Sequence, residues 1–519
     1  MSESFWEVSK SQTVGRLALI AATAMFWRCS HAQVTVTVGP NVNITKSSAN
    51  NVEECIAINP VNPANLFASD TWAGAHRYSL DGGSTWHNSN ISALPGSIGD
   101  VAATFDTFGN LFLTKFGPSE SIQVDLSTDG GASFSLLYQT TATGNDQPKV
   151  ATGPSSVAGQ KCVWITYTDP NNFIAVQGAT VTGLGAVGSF SASQTTSVIG
   201  DFGDVAVGPN GQVLVSFQDP LSGVGPDTIN VNLDADGLGA ATFGSVISAS
   251  DTQVGGFTDI PAQPQRSIDA EAKLAWDRTG GSHNGRVYLS YTDRPSTSSD
   301  DTDIYVRYSD NNGSTWSSPV RVNDDPVGNG KSQFLPRIAL DQTTGYIAVS
   351  FYDCRNSDNN DTAEYWASVS TDGGQTFMPN VKVSAGISSA LVMAVANTYF
   401  DFGDYSGLTY HAGTFYPCWA DNSNSTGDNP AGAGSNLDLY TARVTVMPPV
   451  VMLNPRRISN TFHVSVRTVA MKNYYLQSTP SVRNPVWSSV TSVPGDGTVK
   501  ELVDSSATSP QAFYRVKAQ

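Results

Sequence analysis

The chain has 519 residues and a formal charge of −17, yet only 14% of its residues are charged, and it carries 47 glycines and 27 prolines. That acidic balance argues against nucleic acid or an anionic membrane surface as partner. Its length accommodates one large domain plus a small one, and five cysteines over such a span exclude a disulfide scaffold.

In chain order, residues 1–32 read as a secretory signal. Lys10 and Arg16 precede the apolar run LALIAATAMFW, and Ser30-His31-Ala32 fits a small-x-small cleavage site. The run is shorter than the roughly 20 apolar residues that span a bilayer, and Cys29 follows Arg28, which is wrong for a lipid anchor. No later stretch is apolar enough to span, so the expectation is a secreted or extracytoplasmic, monomeric protein without a membrane span. Removing the signal leaves Cys55, Cys162, Cys354 and Cys418, either as buried thiols or with one bridge between Cys354 and Cys418.

From residue 33 a repeat organises the chain. Residues 286–316 show the unit most clearly: the alternating run RVYLSYTD, a loop, the run DIYVRYS, then Asp310-Asn311-Asn312-Gly313-Ser314-Thr315-Trp316. Period-2 alternation of β-branched and aromatic residues between Gly, Asn and Asp clusters predicts strands joined by turns. The turn recurs at Ser79–Trp86, Ser127–Phe134 and Ser370–Phe377, and a strand ending in aspartate recurs at Asp70, Asp169, Asp219, Asp353 and Asp421. Each unit is therefore strand, turn, strand ending in Asp, loop, strand, Asp-Gly turn, strand.

Four-stranded repeats of this kind predict an all-β propeller over residues 33–447, of about seven blades if LFLTKF at 111–116 is a degenerate copy; six or eight stay open. A set of β-sandwich modules is the alternative, although sandwiches do not require the same turn at the same place in each unit. The last unit lacks a fourth strand, which the early run VTVTV can supply. After Pro448-Pro449, the runs FHVSV, YYLQS, WSSV and FYRVKA predict a small C-terminal β-sandwich over residues 448–519.

The turn Ser-x-Asp-x-Gly-x-x-Trp/Phe resembles the Asp-box (BNR repeat) of the sialidase, or neuraminidase, superfamily. The resemblance implies a propeller in which the Asp accepts turn hydrogen bonds and the aromatic packs between strands. Such propellers include sialidases, other polysaccharide-cleaving enzymes and binding proteins, so the likeness alone does not assign an activity.

Topology places strand entries and Asp-ended strands on one rim and the Asp-box turns on the other. On the first rim fall Glu53, Glu54, Asp100, Lys149, Asp204, Asp269, Glu271, Arg337 and Asp404 from the entries, and Arg294 and Arg355 beside the strand-end aspartates. An Asp repeated at the same place in most units reads first as a turn cap. A planar guanidinium suits a substrate carboxylate, though pairing with the adjacent aspartates is an equal alternative for the arginines.

Tyr405-Ser406-Gly407-Leu408-Thr409 is similar to the sialidase segment whose tyrosine attacks the anomeric carbon. This resemblance implies Tyr405 as nucleophile, Asp269 as its acidic partner with Glu271 the alternative, and Arg294 as a carboxylate binder; rim position adds Arg337 and Arg355 as candidates to complete an arginine triad and Asp100 as candidate general acid. The expected function is an exported exo-α-sialidase-type glycoside hydrolase that needs no cofactor or metal and acts on acidic glycans. Two readings stay open beside it: a non-catalytic propeller that binds glycan or protein, and a lyase or hydrolase with paired carboxylates across the funnel. A sialidase requires the Tyr405 hydroxyl within hydrogen-bond reach of Asp269 or Glu271, with at least two arginines converging there.

Overall fold

The computed structural model describes residues 6–9, 34–94, 99–391, 400–448, 450–469, 472–509 and 511–518. The predicted apolar leader and its cleavage site fall outside them. The chain forms two compact units: Val38–His411 with Phe415–Val444, and a second built mainly from Thr445–Gln519. The protein is all-β, its regular structure being strands apart from two three-residue 3-10 turns among the described residues. No described helix is long and apolar enough to cross a membrane.

In the larger unit the strands form small antiparallel sheets, each starting from an innermost strand and adding neighbours outward in chain order. The innermost strands are Glu54–Ile58, Ala102–Phe105, Asp146–Pro154, Asp201–Val207, Lys273–Trp276, Gln333–Leu340 and Gly407–His411. Consecutive members of this series pack against one another, and Gly407–His411 packs against Glu54–Ile58, so the series closes on itself. A cavity of about 610 Å³ is lined by residues from all seven. The last of these sheets takes Thr35–Asn43 as its edge strand, beside Asp438–Met447.

The second strand of each sheet shows why the ring is stable. Val213–Gln218 and Ile347–Asp353 are buried at every position, although they sit in antiparallel sheets where one wet face is usual. Each sheet is covered on both faces by its neighbours: Tyr288, Ile304 and Val306 of one pack against Ile338, Val349 and Phe351 of the next. Trp164, Ile174 and Val176 likewise meet Val205, Val215 and Phe217. Burying each such side chain is worth about 1.5–3 kcal/mol.

The repeated turns hold the opposite strand ends. Asp129 accepts from the Ser133 N–H at 2.9 Å, the Ser133 hydroxyl at 2.6 Å and the Ser127 hydroxyl at 2.7 Å. Asp81 and Asp372 repeat the pattern on Thr85 and Thr376. Gly131 has φ +96° and a side chain there would meet the Phe67 ring at 2.9 Å, so only glycine fits. In the fifth sheet Asn311, not Asp310, takes the acceptor's place, receiving the Thr315 N–H at 2.9 Å; Asp310 instead pairs with Arg286.

The smaller unit has a three-stranded sheet (Leu453–Ile458, Thr461–Arg467, Val499–Asp504) and a four-stranded one (Asn473–Thr479, Ser488–Pro494, Gln511–Ala518 and Trp6–Ser9). Phe462, Val464, Tyr474, Leu476, Leu502 and Val516 make their shared core. Cys55, Cys162, Cys354 and Cys418 are all buried free thiols, so the Cys354–Cys418 bridge is not formed.

Candidate active site

Six of the seven innermost strands are entered through a non-glycine residue with left-handed φ: Glu53 (57°), Asp100 (41°), Gln147 (47°), Phe202 (58°), Glu271 (49°) and Leu335 (49°). This conformation costs an ordinary residue about 1–2 kcal/mol, and it recurs at one end of the ring. In three sheets the pairing register slips at the same place, between Asp146 and Lys149, Asp201 and Asp204, and Phe334 and Arg337. The slips break the alternation of the strands and crowd polar side chains where they enter.

A cleft of about 170 Å³ opens among these entries, lined by Asp146, Asp201, Asp269, Asp404, Arg266 and the rings of Phe202 and Phe257. Arg266 arrives on an extra hairpin, Thr258–Ile260 and Gln263–Ile268, inserted before the fifth sheet. The hairpin is tied to the loop before the seventh sheet: the Gln265 and Arg266 N–H groups donate to Asp401, and the Gln263 amide to the Gly403 carbonyl. Arg266 then clamps Asp404 in a two-point pair, its Nε donating to Oδ1 at 2.6 Å and its Nη2 to Oδ2, and reaches Glu53 Oε1 at 3.2 Å. Burial raises the proton affinity of Asp404 and Arg266 opposes it. Burial, then the charges of Asp404 and Asp100, lift Glu53 well above the carboxylate range.

Asp100 and Asp146 form a carboxyl pair. Both accept from the Gln147 N–H at 3.0 Å, and their side chains hydrogen-bond to each other. Asp146 opens to solvent at the cleft, but desolvation by the surrounding wall, and then the Asp100 charge, push its pKa up to about 8. Two carboxylates this close cannot both ionise cheaply, so one proton stays with the pair at neutral pH. Asp201, fixed by the Thr168 hydroxyl at 2.6 Å, and Asp269 are raised too, chiefly by burial.

Of the residues singled out in the sequence, Asp269 and Asp404 line this cleft and Asp100 lies against it. Glu271 is buried and pairs with Lys273 at 2.9 Å. Tyr405 is only 4% exposed; its hydroxyl bonds the Thr71 hydroxyl at 3.1 Å, and its ring lies 3.6 Å from Lys149 Nζ. Burial, with Asp100 and Glu53 nearby, holds its proton well above the ordinary phenol range, the reverse of activation. Arg337 lines the central cavity. Arg294 spends its guanidinium on the carbonyls of Gln253, Ser299 and Val224, and Arg355 spends its own on Asp353, Asp324 and Asn380. The three arginines therefore do not converge. The strand-end aspartates cap turns: Asp70 takes the Ala73 N–H, Asp169 that of Phe173, Asp219 that of Leu221 and Asp421 that of Ser423.

Arg266, Asp146 and Asp201 were missed by sequence reading. Arg266 sits in an insertion outside the repeat, and Asp146 and Asp201 each precede the slip that sets the strand's register. An apolar rim completes the region: Phe257, 54% exposed, meets Phe202 edge-on at 5.8 Å. Trp72, 43% exposed, packs on Phe400 at 4.3 Å, whose ring faces Arg266 at 5.0 Å.

No family model matches the chain, and no curated protein matches it. Among solved structures, similarity is found to a phage phi92 endosialidase (TM-score 0.43, 11% identity, 89% of this chain and 76% of that one). A Dyadobacter fermentans protein of unknown function gives TM-score 0.41 at 11% identity, covering 79% and 99%. A Hadza microbial sialidase gives 0.39 at 13%, covering 75% of each.

Proposed function

We propose that the larger unit is a seven-bladed Asp-box β-propeller that hydrolyses glycosidic bonds through the paired carboxyls of its acidic cleft. The observation that carries this reading is the Asp100–Asp146 carboxyl pair, joined at the Gln147 N–H and opening on the same cleft as the Arg266-clamped Asp404. A proton donor and a basic carboxylate facing one space are what glycoside hydrolysis needs. Asp146 gives its proton to the leaving glycosidic oxygen as the carbon–oxygen bond breaks. Asp404 takes the proton of the attacking water. Asp269, whose hold on its proton burial strengthens, donates to a sugar hydroxyl, and the exposed Phe257 and Trp72 faces stack on sugar rings.

Arg266 is the one cation among the described residues lining the cleft, and Asp404 and Glu53 already occupy it. The substrate is accordingly a neutral or amino-sugar glycan, because a sugar carboxylate would meet no free cation there. An exo-α-sialidase reading, with Tyr405 as nucleophile, draws on one observation, the closeness of Lys149 and Asp100 to that ring. The secretory reading of residues 1–32 makes the enzyme extracytoplasmic, its glycan met outside the cell.

The test is release of reducing ends from neutral, amino-sugar and sialylated oligosaccharides by wild type, Asp146→Asn and Tyr405→Phe. Turnover of neutral or amino-sugar substrates that vanishes in Asp146→Asn and survives in Tyr405→Phe supports the reading. Sialoside turnover lost in Tyr405→Phe transfers the assignment to the sialidase, and binding without turnover in wild type makes the unit a glycan-binding module.

A further inference from the structure

We propose that the small cavity between Lys149 and Arg337 binds a monovalent inorganic anion of halide size. Lys149 is 3% exposed, and its Nζ has no hydrogen-bond partner. An ammonium carries three donors and no acceptor, and leaving it dry and unpaired is strongly unfavourable. Its visible compensation is the Tyr405 ring face at 3.6 Å, which supplies part of a counter-charge but no acceptor.

Of the charged residues that line the cavity two are cations, Lys149 and Arg337, and one is a carboxyl, Glu54. Lys273, 1% exposed, pairs with Glu271 at 2.9 Å, and Lys273 and Arg337 both repel the Lys149 charge. Glu271 and Asp100 attract it, as do Glu53 and Asp404 from farther round the ring. Glu271 is paired with Lys273, Glu53 and Asp404 share Arg266, and none of these carboxyls nor Asp100 lines the cavity. Glu54, whose carboxyl oxygens make no hydrogen bond, also faces the cavity, and burial holds its proton.

The cavity measures about 60 Å³ and is lined by Lys149, Arg337, Glu54 and Tyr405 over an apolar floor. A water takes about 30 Å³ of liquid, and a halide is of similar size, so the cavity has room for one anion with a water beside it. A water could satisfy one donor of Lys149. An anion satisfies a donor and meets both cations of the lining, and the aliphatic floor of Ile56, Ala102 and Ala103 suits a large, weakly hydrated ion. The site requires no part of the hydrolytic reading.

Bromide soaked into crystals of the full chain tests it by anomalous scattering. The expected result is one buried bromide touching Lys149 Nζ and Arg337, absent from Lys149→Met. In solution, chlorine-35 relaxation should show a site emptied by bromide in wild type and weakened in Arg337→Gln, a variant that keeps the proposal testable should Lys149→Met fail to fold. Non-anomalous water density in the cavity, bromide only at the surface, or relaxation unchanged in a folded variant overturns it.

Discussion

Asp129 and Asp146 stand in neighbouring sheets at opposite strand ends, and nearly everything about their chemistry differs. At Asp129 burial works upward, but hydrogen bonds from the Ser133 hydroxyl and N–H and from Ser127 outweigh it and hold the carboxylate below its usual range. At Asp146 burial works in the same direction with a second carboxyl beside it and one N–H in compensation, and the proton stays on to about 8. Donors decide which aspartate is a fastener and which is an acid. A residue type repeated around a ring serves structure where the backbone supplies the donors, and chemistry where it withholds them.

Substitutions at the two ends sharpen that contrast. The largest effect is expected from Asp146→Asn, which keeps shape and removes the transferable proton: glycan hydrolysis falls by about 10²–10⁴-fold while the melting temperature barely moves. Steady-state kinetics beside a thermal melt reads both. Arg266→Ala comes next, because it frees Asp404 and Glu53 to repel each other. It should cost about 1–3 kcal/mol in denaturant unfolding and also raise the KM of any glycan.

Asp129→Ala inverts the pattern, losing about 1–2 kcal/mol of stability with kcat and KM unchanged. Activity lost there at constant fold would break the distinction between the two ends. Tyr405→Phe is the mildest change: it removes one hydrogen bond to Thr71, worth about 1 kcal/mol, and should leave turnover within about a factor of two, since the proposed proton transfers run through Asp146 and Asp404.

The same contrast predicts how stability follows pH. An unfolded aspartate releases its proton near pH 3.9, whereas Asp146 keeps its own to about 8, Asp125 to about 7 and Asp70 to about 6. Between those values the folded chain binds more protons than the unfolded one. Stability from these groups is therefore full below pH 3.9 and falls as pH rises through 8. The turn aspartates run the other way, adding stability above their unfolded value that is lost in acid. Chemical denaturation between pH 4 and 9 should show a maximum on the acid side of neutrality, and Asp146→Asn should flatten its alkaline slope.

The all-β character and the small antiparallel sheets were legible in the sequence because alternation and the Ser-x-Asp-x-Gly turn recur at fixed places. Even LFLTKF, with no aspartate at its end, forms the second strand of its sheet. Complete burial of those second strands was hidden, since a strand with two covered faces carries no period of its own. Rim membership of Glu53, Asp100, Asp269 and Asp404 followed from topology. What topology could not give was direction. Arg294 and Arg355 stand at strand ends, yet their side chains turn to local carbonyls and acids, and only coordinates show that. Arg266 and the slip at Asp146 belong to departures from the repeat, which a repeat-based reading passes over.

The account turns on a proton held by Asp146 at neutral pH. It is tested most directly by following carboxyl titration with infrared difference spectroscopy on wild type and Asp146→Asn. The account predicts a protonated-carboxyl band in wild type that disappears near pH 8 and is missing from the variant. A wild-type spectrum with no carboxyl titrating above pH 6, or one identical to the variant's, would contradict it.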